Sequence, residues 1–238
     1  MFRVVAFSSG GPGNFATTLN FCATEPEVEL VLLVTDRELT PAAALAEDNN
    51  IPVLKVKIDG APDLENQTAS KLRTQQCNEL LEDLLAFEET GGRIDLIVLA
   101  FRKVLIGPIL EHFQNRIINV HPSDLSVLSL ENQRRRYVGI QGLSLAIQDG
   151  NATTRTTVHW VDEGVDTGPI ICLGPEVVFL GEANNRADVL AHETKQKTQS
   201  DEPALMAALA CILTPDVSNA SRPASFSPAI RHGDYTIL

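Results

Sequence analysis

Apolar residues run almost unbroken through residues 2–7, 29–35 and 95–100, the pattern of strands covered on both faces. Residues 53–57 form a shorter strand in the same series. Between these runs, residues 13–23, 41–48 and 65–87 carry apolar side chains at helical intervals. Thr40 followed by Pro41 reads as an N-cap and a first-turn proline. Strand and helix therefore alternate, which predicts an α/β fold with a mainly parallel central sheet and helices on both faces. Right-handed crossovers then put ligand-binding groups just past the C-terminal ends of the strands.

The second half is less regular. A strand over 116–120 runs into His121-Pro122, and a helix is expected over 139–148, before the turn Asp149-Gly150-Asn151. Residues 153–161 alternate like a strand and 169–178 read as another. Residues 187–213 are helical in spacing, with an interruption expected at Pro203. Residues 1–213 thus read as one domain. From Thr214 the chain is rich in Ser, Pro and Ala with little periodicity, so 214–238 is expected to be a tail, lying on the surface or partly disordered.

Composition narrows the setting. The 238 residues are 44% hydrophobic and 21% charged, ordinary for a globular protein. No apolar run approaches the ~20 residues needed to span a bilayer, so no membrane partner is expected. The net charge of −12 repels phosphate backbones and argues against nucleic acid as a partner. Met1 to Phe7 goes directly into a strand-like run, with no signal-peptide pattern. Cys22, Cys77, Cys172 and Cys211 are far apart and lack metal-ligand spacing. Reduced thiols, a cytoplasmic location and no metal are the expectation.

The first strand ends in Ser8-Ser9-Gly10-Gly11-Pro12-Gly13-Asn14. A glycine-rich turn at a helix start exposes amide N–H groups to an anion, a phosphate above all. Read as Gly11-x-Gly13-x-x-Ala16, with Asp36 closing the second strand, the segment also fits a dinucleotide-binding fingerprint and hence a nicotinamide-dependent oxidoreductase. Pro12 weighs against that reading because it removes one donor N–H. A tight turn with no ligand is the plainest alternative.

The densest chemistry lies later. In Ile118-Asn119-Val120-His121-Pro122-Ser123, an amide and an imidazole two residues apart project to one side of a buried strand end. Further on, His159 precedes Asp162, Glu163 and Asp166 in a glycine-marked acidic turn. Asp162 and Glu163 read as solvated turn residues. Asp166 is more restrained, between Val165 and Thr167-Gly168-Pro169.

Ser9-Gly10 through Asn14, Leu99-Ala100, Asn119-Val120-His121-Pro122-Ser123, His159 and Val165-Asp166-Thr167-Gly168-Pro169 together resemble the folate-dependent formyltransferases, in particular their phosphoribosylglycinamide branch. The order and local spacing agree over roughly residues 2–213. The resemblance implies a Rossmann-like formyltransferase fold of the purine-biosynthesis type, in which 10-formyltetrahydrofolate is the co-substrate and an amine the acceptor. It implies catalytic roles for Asn119, His121 and Asp166, with His159 in support. It assigns the acceptor phosphate to Gly10, Gly11, Gly13 and Asn14, and the folate to Arg102, Lys103, Val104 and Leu105. An amine attacking a formyl carbon leaves an oxyanion and a cationic nitrogen, so fixed donors and a proton sink are required. In this scheme Asn119 and a protonated His121 donate, while Asp166 favours the imidazolium and relays the amine proton.

The sequence departs from that family at four places. Its phosphate loop commonly reads Ser-Gly-Asn-Gly-Ser-Asn, so a hydroxyl is lost here and Pro12 has entered. Val104 stands where the family carries an arginine, and Arg102 or Lys103 would substitute. Thr198 stands where a late glutamate grips ribose. The segment after His121 is longer and carries Arg134-Arg135-Arg136, three candidates for a phosphate or for the folate tail. A relative that binds folate without catalysing transfer is therefore a third reading.

Overall fold

The computed structural model describes residues 1–59, 67–213, 230–232 and 235–237. It divides into two compact units. The first comprises Met1–Ile118 with Val161–Glu163, and the second comprises Asn119–Trp160 and the chain from Gly164 onward.

The first unit is built on four parallel strands, β1 (Phe2–Ser8), β2 (Val28–Thr35), β3 (Val53–Lys55) and β4 (Leu96–Ala100), in the order β3-β2-β1-β4. Val4 to Phe7 of β1 and Leu30 to Thr35 of β2 are buried throughout, as unbroken apolar runs require. Helices α1 (Gly13–Thr24), α2 (Pro41–Asp48) and α3 (Gln67–Gly91) make the crossovers. Thr40 caps α2 by accepting from the Ala43 N–H at 3.0 Å, with Pro41 in the first turn. The expected start of α3 at residue 65 lies outside the described residues. Its end runs on to Gly91, where Gly92 at φ 94° turns the chain and donates to the Glu88 carbonyl. Phe7, Leu80, Leu84, Ile97 and Phe113 belong to the core that fixes these layers. A five-residue helix, α4 (Pro108–His112), is too short for periodicity to reveal.

Strand β5 (Ile117–His121) begins in the first unit and ends in the second. The rest of the second unit holds α5 (Gly142–Gln148), β6 (Thr153–Thr154), β7 (Thr157–Trp160), β8 (Ile170–Leu173), β9 (Val177–Val178), α6 (Arg186–Gln196), a π turn at Lys197–Asp201 and α7 (Glu202–Leu213). Strand β7 pairs antiparallel with β8, and β6 antiparallel with β9. The strand expected over 153–161 is thus two strands. It breaks at Arg155-Thr156, where the Thr156 N–H turns to Ser200 Oγ at 2.9 Å. The strand expected over 169–178 breaks at Gly174-Pro175-Glu176. A Cβ on Gly174 would come within 2.5 Å of Ser200 Oγ, so only glycine allows this approach.

The helix expected from 139 starts three residues later, because Gly139 has φ 73° and closes a turn with the Gly142 N–H. The break expected at Pro203 is real but falls earlier, in the π turn. Pro203 itself is the second residue of α7, which follows the π turn directly. Helix α7 buries Ala204, Leu205, Ala208 and Leu209, on the apolar side of β7 and β8. Within the expected tail, β10 (Ile230–His232) and β11 (Tyr235–Ile237) form an antiparallel pair that adds to β8. The remainder of that tail lies outside the described residues. The whole is an α/β fold with a mostly parallel central sheet, as the alternation of elements predicts.

Candidate active site

Strand β5 carries Asn119 and His121 at its end, and the turn between β7 and β8 carries Asp166. The three meet. His121 Nδ1 lies 3.4 Å from Asp166 Oδ2, and Asn119 Nδ2 donates to Asp166 Oδ1 at 3.3 Å. His159, on β7, brings Nε2 to 3.4 Å from Asp166 Oδ1 and 3.3 Å from Asn119 Nδ2. The expected supporting neighbour is therefore in direct contact with two of the three.

The hydrogen bonds of each imidazole set its tautomer. His121 Nε2 is 2.8 Å from the Tyr137 carbonyl, which only accepts, so Nε2 carries the hydrogen. Ser123 Oγ lies 2.6 Å from the same nitrogen and donates to the same carbonyl. Nδ1 is the remaining basic atom, and it faces the carboxylate. His159 Nδ1 lies 2.7 Å from the Trp160 carbonyl, and its Nε2 faces both Asn119 Nδ2 and Asp166 Oδ1.

Burial pushes His121 below the ordinary imidazole pKa, and the nearby Arg135 charge adds to that effect, outweighing the Asp166 carboxylate. The protonated His121 expected from the sequence is therefore not the resting form. The free site holds neutral imidazole beside carboxylate. For Asp166, burial alone would raise the pKa. The His159 hydrogen bond, the charge His121 takes on in acid and the Gly139 amide outweigh it and hold the carboxyl at about 2.

Several contacts that build this site have no marker in the sequence. Gly139 donates its N–H to Asp166 Oδ2 at 2.6 Å. Arg135, from the longer segment after His121, donates to the Asp166 and Gly168 carbonyls at 2.5 and 2.8 Å. Arg136 pairs with Asp149 at 2.7 Å and its guanidinium lies over the Tyr137 ring. Two of the three arginines offered as ligands for a phosphate or the folate tail are thus engaged by the protein itself. Gly142 matters for space, since a Cβ there would collide with the Tyr137 carbonyl and come within 2.6 Å of Ser123 Oγ and 3.0 Å of His121 Nε2.

The glycine loop belongs to the first unit. Ser8 Oγ donates to the Gly11 carbonyl at 3.1 Å, and Ser9 Oγ accepts from the Arg102 N–H at 3.0 Å. Helix α1 follows Pro12 with no side-chain cap and no acid in its first turn, which holds Gly13 and Asn14. A Cβ on Gly10 would meet nothing nearer than Arg37 at 3.9 Å, and one on Gly11 nothing within 4 Å. The turn itself does not demand glycine at these two positions. What their lack of side chains leaves is open space above the backbone.

The second candidate segment, residues 102–105, is largely committed. Lys103 Nζ pairs with Asp36 at 3.6 Å, the Val104 carbonyl accepts from Arg73 at 3.1 Å, and Leu105 is in the core. Lys103 is thus paired with Asp36. Arg102 is the exposed cation of the four. The same ion pair engages Asp36, the acid that a nicotinamide reading needs for ribose. Thr198 lies exposed in the π turn, its hydroxyl donating to the Lys195 carbonyl.

Residues 2–200 match the family profile described as Formyl transferase. The chain belongs to the formyl transferase family. It is 31% identical over 173 residues to the phosphoribosylglycinamide formyltransferase of Bacillus subtilis, covering 72% of this chain and 77% of that protein. It is 30% identical over 130 residues to the trifunctional purine biosynthetic protein adenosine-3 of Drosophila melanogaster, covering 54% of this chain but 9% of that much longer protein. The crystal structure of glycinamide ribonucleotide transformylase 1 from Geobacillus kaustophilus superposes with a TM-score of 0.62 at 28% identity, covering 88% and 98% of the two chains. The chain is accordingly a formyltransferase by family. Among its described residues, no cluster of metal-ligating side chains occurs and no helix is long and apolar enough to cross a membrane.

Proposed function

We propose that this formyltransferase moves a formyl group from 10-formyltetrahydrofolate to the primary amine of a phosphorylated small molecule, glycinamide ribonucleotide being the first candidate, in the cytoplasm. The observation that carries the reading is the meeting of Asn119, His121 and Asp166, the last more than forty positions along the chain from the other two.

In this reading neutral His121 takes the amine proton at Nδ1, the nitrogen its hydrogen bonds leave basic. Asp166, ionised at neutral pH, stabilises the imidazolium that results, which returns the proton to the tetrahydrofolate nitrogen as its bond to the formyl carbon breaks. Asn119 turns an amide N–H to the developing oxyanion. Its present contacts to Asp166 and His159 are long at 3.3 Å, so the amide exchanges them for a better acceptor at small cost. His159, its Nδ1 tied to the Trp160 carbonyl, holds the Asn119 amide in plane.

For the acceptor phosphate, the open backbone over Gly10 and Gly11 and the uncapped start of α1 at Gly13 and Asn14 supply amide donors. For the folate, Arg102 is the exposed cation. The test is a coupled assay with 10-formyltetrahydrofolate against glycinamide ribonucleotide and a panel of phosphorylated and plain amines. Transfer to a phosphorylated amine is expected, with competitive inhibition by inorganic phosphate. Folate binding without turnover on any amine overturns the proposal.

A further inference from the structure

Asp166 is held in a backbone conformation it does not favour. Its φ is 55°, in the left-handed region that is strained for a residue with a side chain. Asp tolerates that region better than most residues, yet its carboxylate must still be aimed at His121 Nδ1. Something has to hold the turn.

The long segment after His121 does so. Residues 127–136 fold back on themselves, the Arg136 N–H donating to the Val127 carbonyl at 3.0 Å and the Ser129 N–H to the Arg134 carbonyl at 2.8 Å. Leu128 and Arg135 form a β-bridge across this fold. From that rung the Arg135 guanidinium reaches the Asp166 carbonyl with one nitrogen and the Gly168 carbonyl with the other, at 2.5 and 2.8 Å. A planar fork is suited to two acceptors at fixed spacing, and lysine offers no equivalent. Four residues on, the Gly139 N–H grips Asp166 Oδ2 at 2.6 Å. One short stretch of chain therefore fixes Asp166 at both its backbone and its carboxylate.

We propose that Arg135 is a positioning residue for formyl transfer, a two-carbonyl clamp that orients the Asp166 carboxylate toward His121. The inference rests on the function proposed above and goes beyond it, because it assigns work to the extra segment that the resemblance left without a role. The Arg135 charge also opposes that of protonated His121, which helps to keep the resting imidazole neutral. Arg134 is exposed and outside the clamp, which makes it the internal control.

The experiment compares Arg135→Met, Arg135→Lys and Arg134→Met with the parent protein. Two readouts are used: steady-state kinetics of formyl transfer, and the NMR shift of the Gly139 amide proton, which reports the carboxylate independently of activity. Arg135→Met is expected to lower kcat about tenfold or more with KM changed less than about twofold, and to move the Gly139 amide upfield. Arg135→Lys, one donor short, is expected to fall between, and it serves as the test variant if the methionine protein does not fold. Arg134→Met is expected to leave the Gly139 amide shift as it is in the parent. Unchanged kcat, or an unmoved Gly139 amide, in the folded Arg135 variant overturns the clamp. Absence of transfer by the parent protein overturns the proposed function instead, while the amide shift still decides the clamp.

Discussion

His121 Nδ1 stands 3.4 Å from Asp166 Oδ2, while Nε2 on the far edge of the same ring is held by the Tyr137 carbonyl at 2.8 Å. The two contacts fix both the orientation of the imidazole and the nitrogen that can take a proton. Asp166→Asn keeps the shape and the acceptor for the Gly139 N–H but removes the charge that stabilises imidazolium. We expect kcat to fall about a hundredfold or more with KM nearly unchanged, read by steady-state assay. A variant with more than half the parent kcat would exclude Asp166 from the proposed mechanism.

The pH profile tests the resting state of His121. Burial lowers its pKa, and the base must be neutral to act. The acid limb of kcat/KM should therefore lie below the ordinary imidazole value of about 6.5, and should move to still lower pH in Asp166→Asn, which loses the charge that opposes the shift. An acid limb that stays in place in that variant would show that another group controls it.

Glycine at position 142 is expected to be irreplaceable even though it opens a helix. Alanine normally favours a helix, but here its Cβ would meet the Tyr137 carbonyl, Ser123 Oγ and His121 Nε2. Gly142→Ala should cost about 1–3 kcal/mol from overpacking and lower kcat by displacing the ring. Thermal melting together with kcat checks it. A stabilised, fully active variant would contradict this packing.

Two buried carboxylates should give opposite pH dependences of stability. Asp166 is held at about 2 against an ordinary 3.8, so its contribution is present above about pH 4 and lost as pH falls through 2. Asp201 is pushed up to about 6, by burial against the opposing Thr156 hydrogen bond. Its contribution is fullest below about pH 4 and lost as pH rises through 6. Asp201→Asn, which can still accept from Thr156 Oγ1, should raise Tm at pH 7 by a few degrees and flatten the stability curve between pH 4 and 6. Chemical unfolding across that range is the measurement, and an unaltered slope would refute the assignment.

Much of this was legible in the sequence because it rests on periodicity. Continuous apolar runs marked β1, β2 and β4, and Thr40-Pro41 marked the start of α2 to the residue. The motif around His121 brought Asn119 and His121 to one side of a strand, as alternation requires. The features that escaped are those that depend on distant partners. No local pattern in Arg134-Arg135-Arg136 says that the middle guanidinium will bind the carbonyls of Asp166 and Gly168. The Val104 and Lys103 environment likewise depends on Arg73 and Asp36 from other elements. The pairing of β10 and β11 had a faint signal, the Gly233-Asp234 dipeptide between short alternating flanks, which the Ser- and Pro-rich composition upstream obscured.

The sealed inner edge of the His121 ring limits how hydrogen ions travel. An imidazole open on both edges can act as a conduit, filling at one nitrogen and emptying at the other. Here the inner nitrogen hands its hydrogen to a backbone oxygen and a buried hydroxyl, and that hydroxyl donates back to the same oxygen. The ring is a cul-de-sac, so whatever enters through Nδ1 must depart through Nδ1 before the next cycle, and resetting His121 is as much a duty of the groups around Asp166 as loading it.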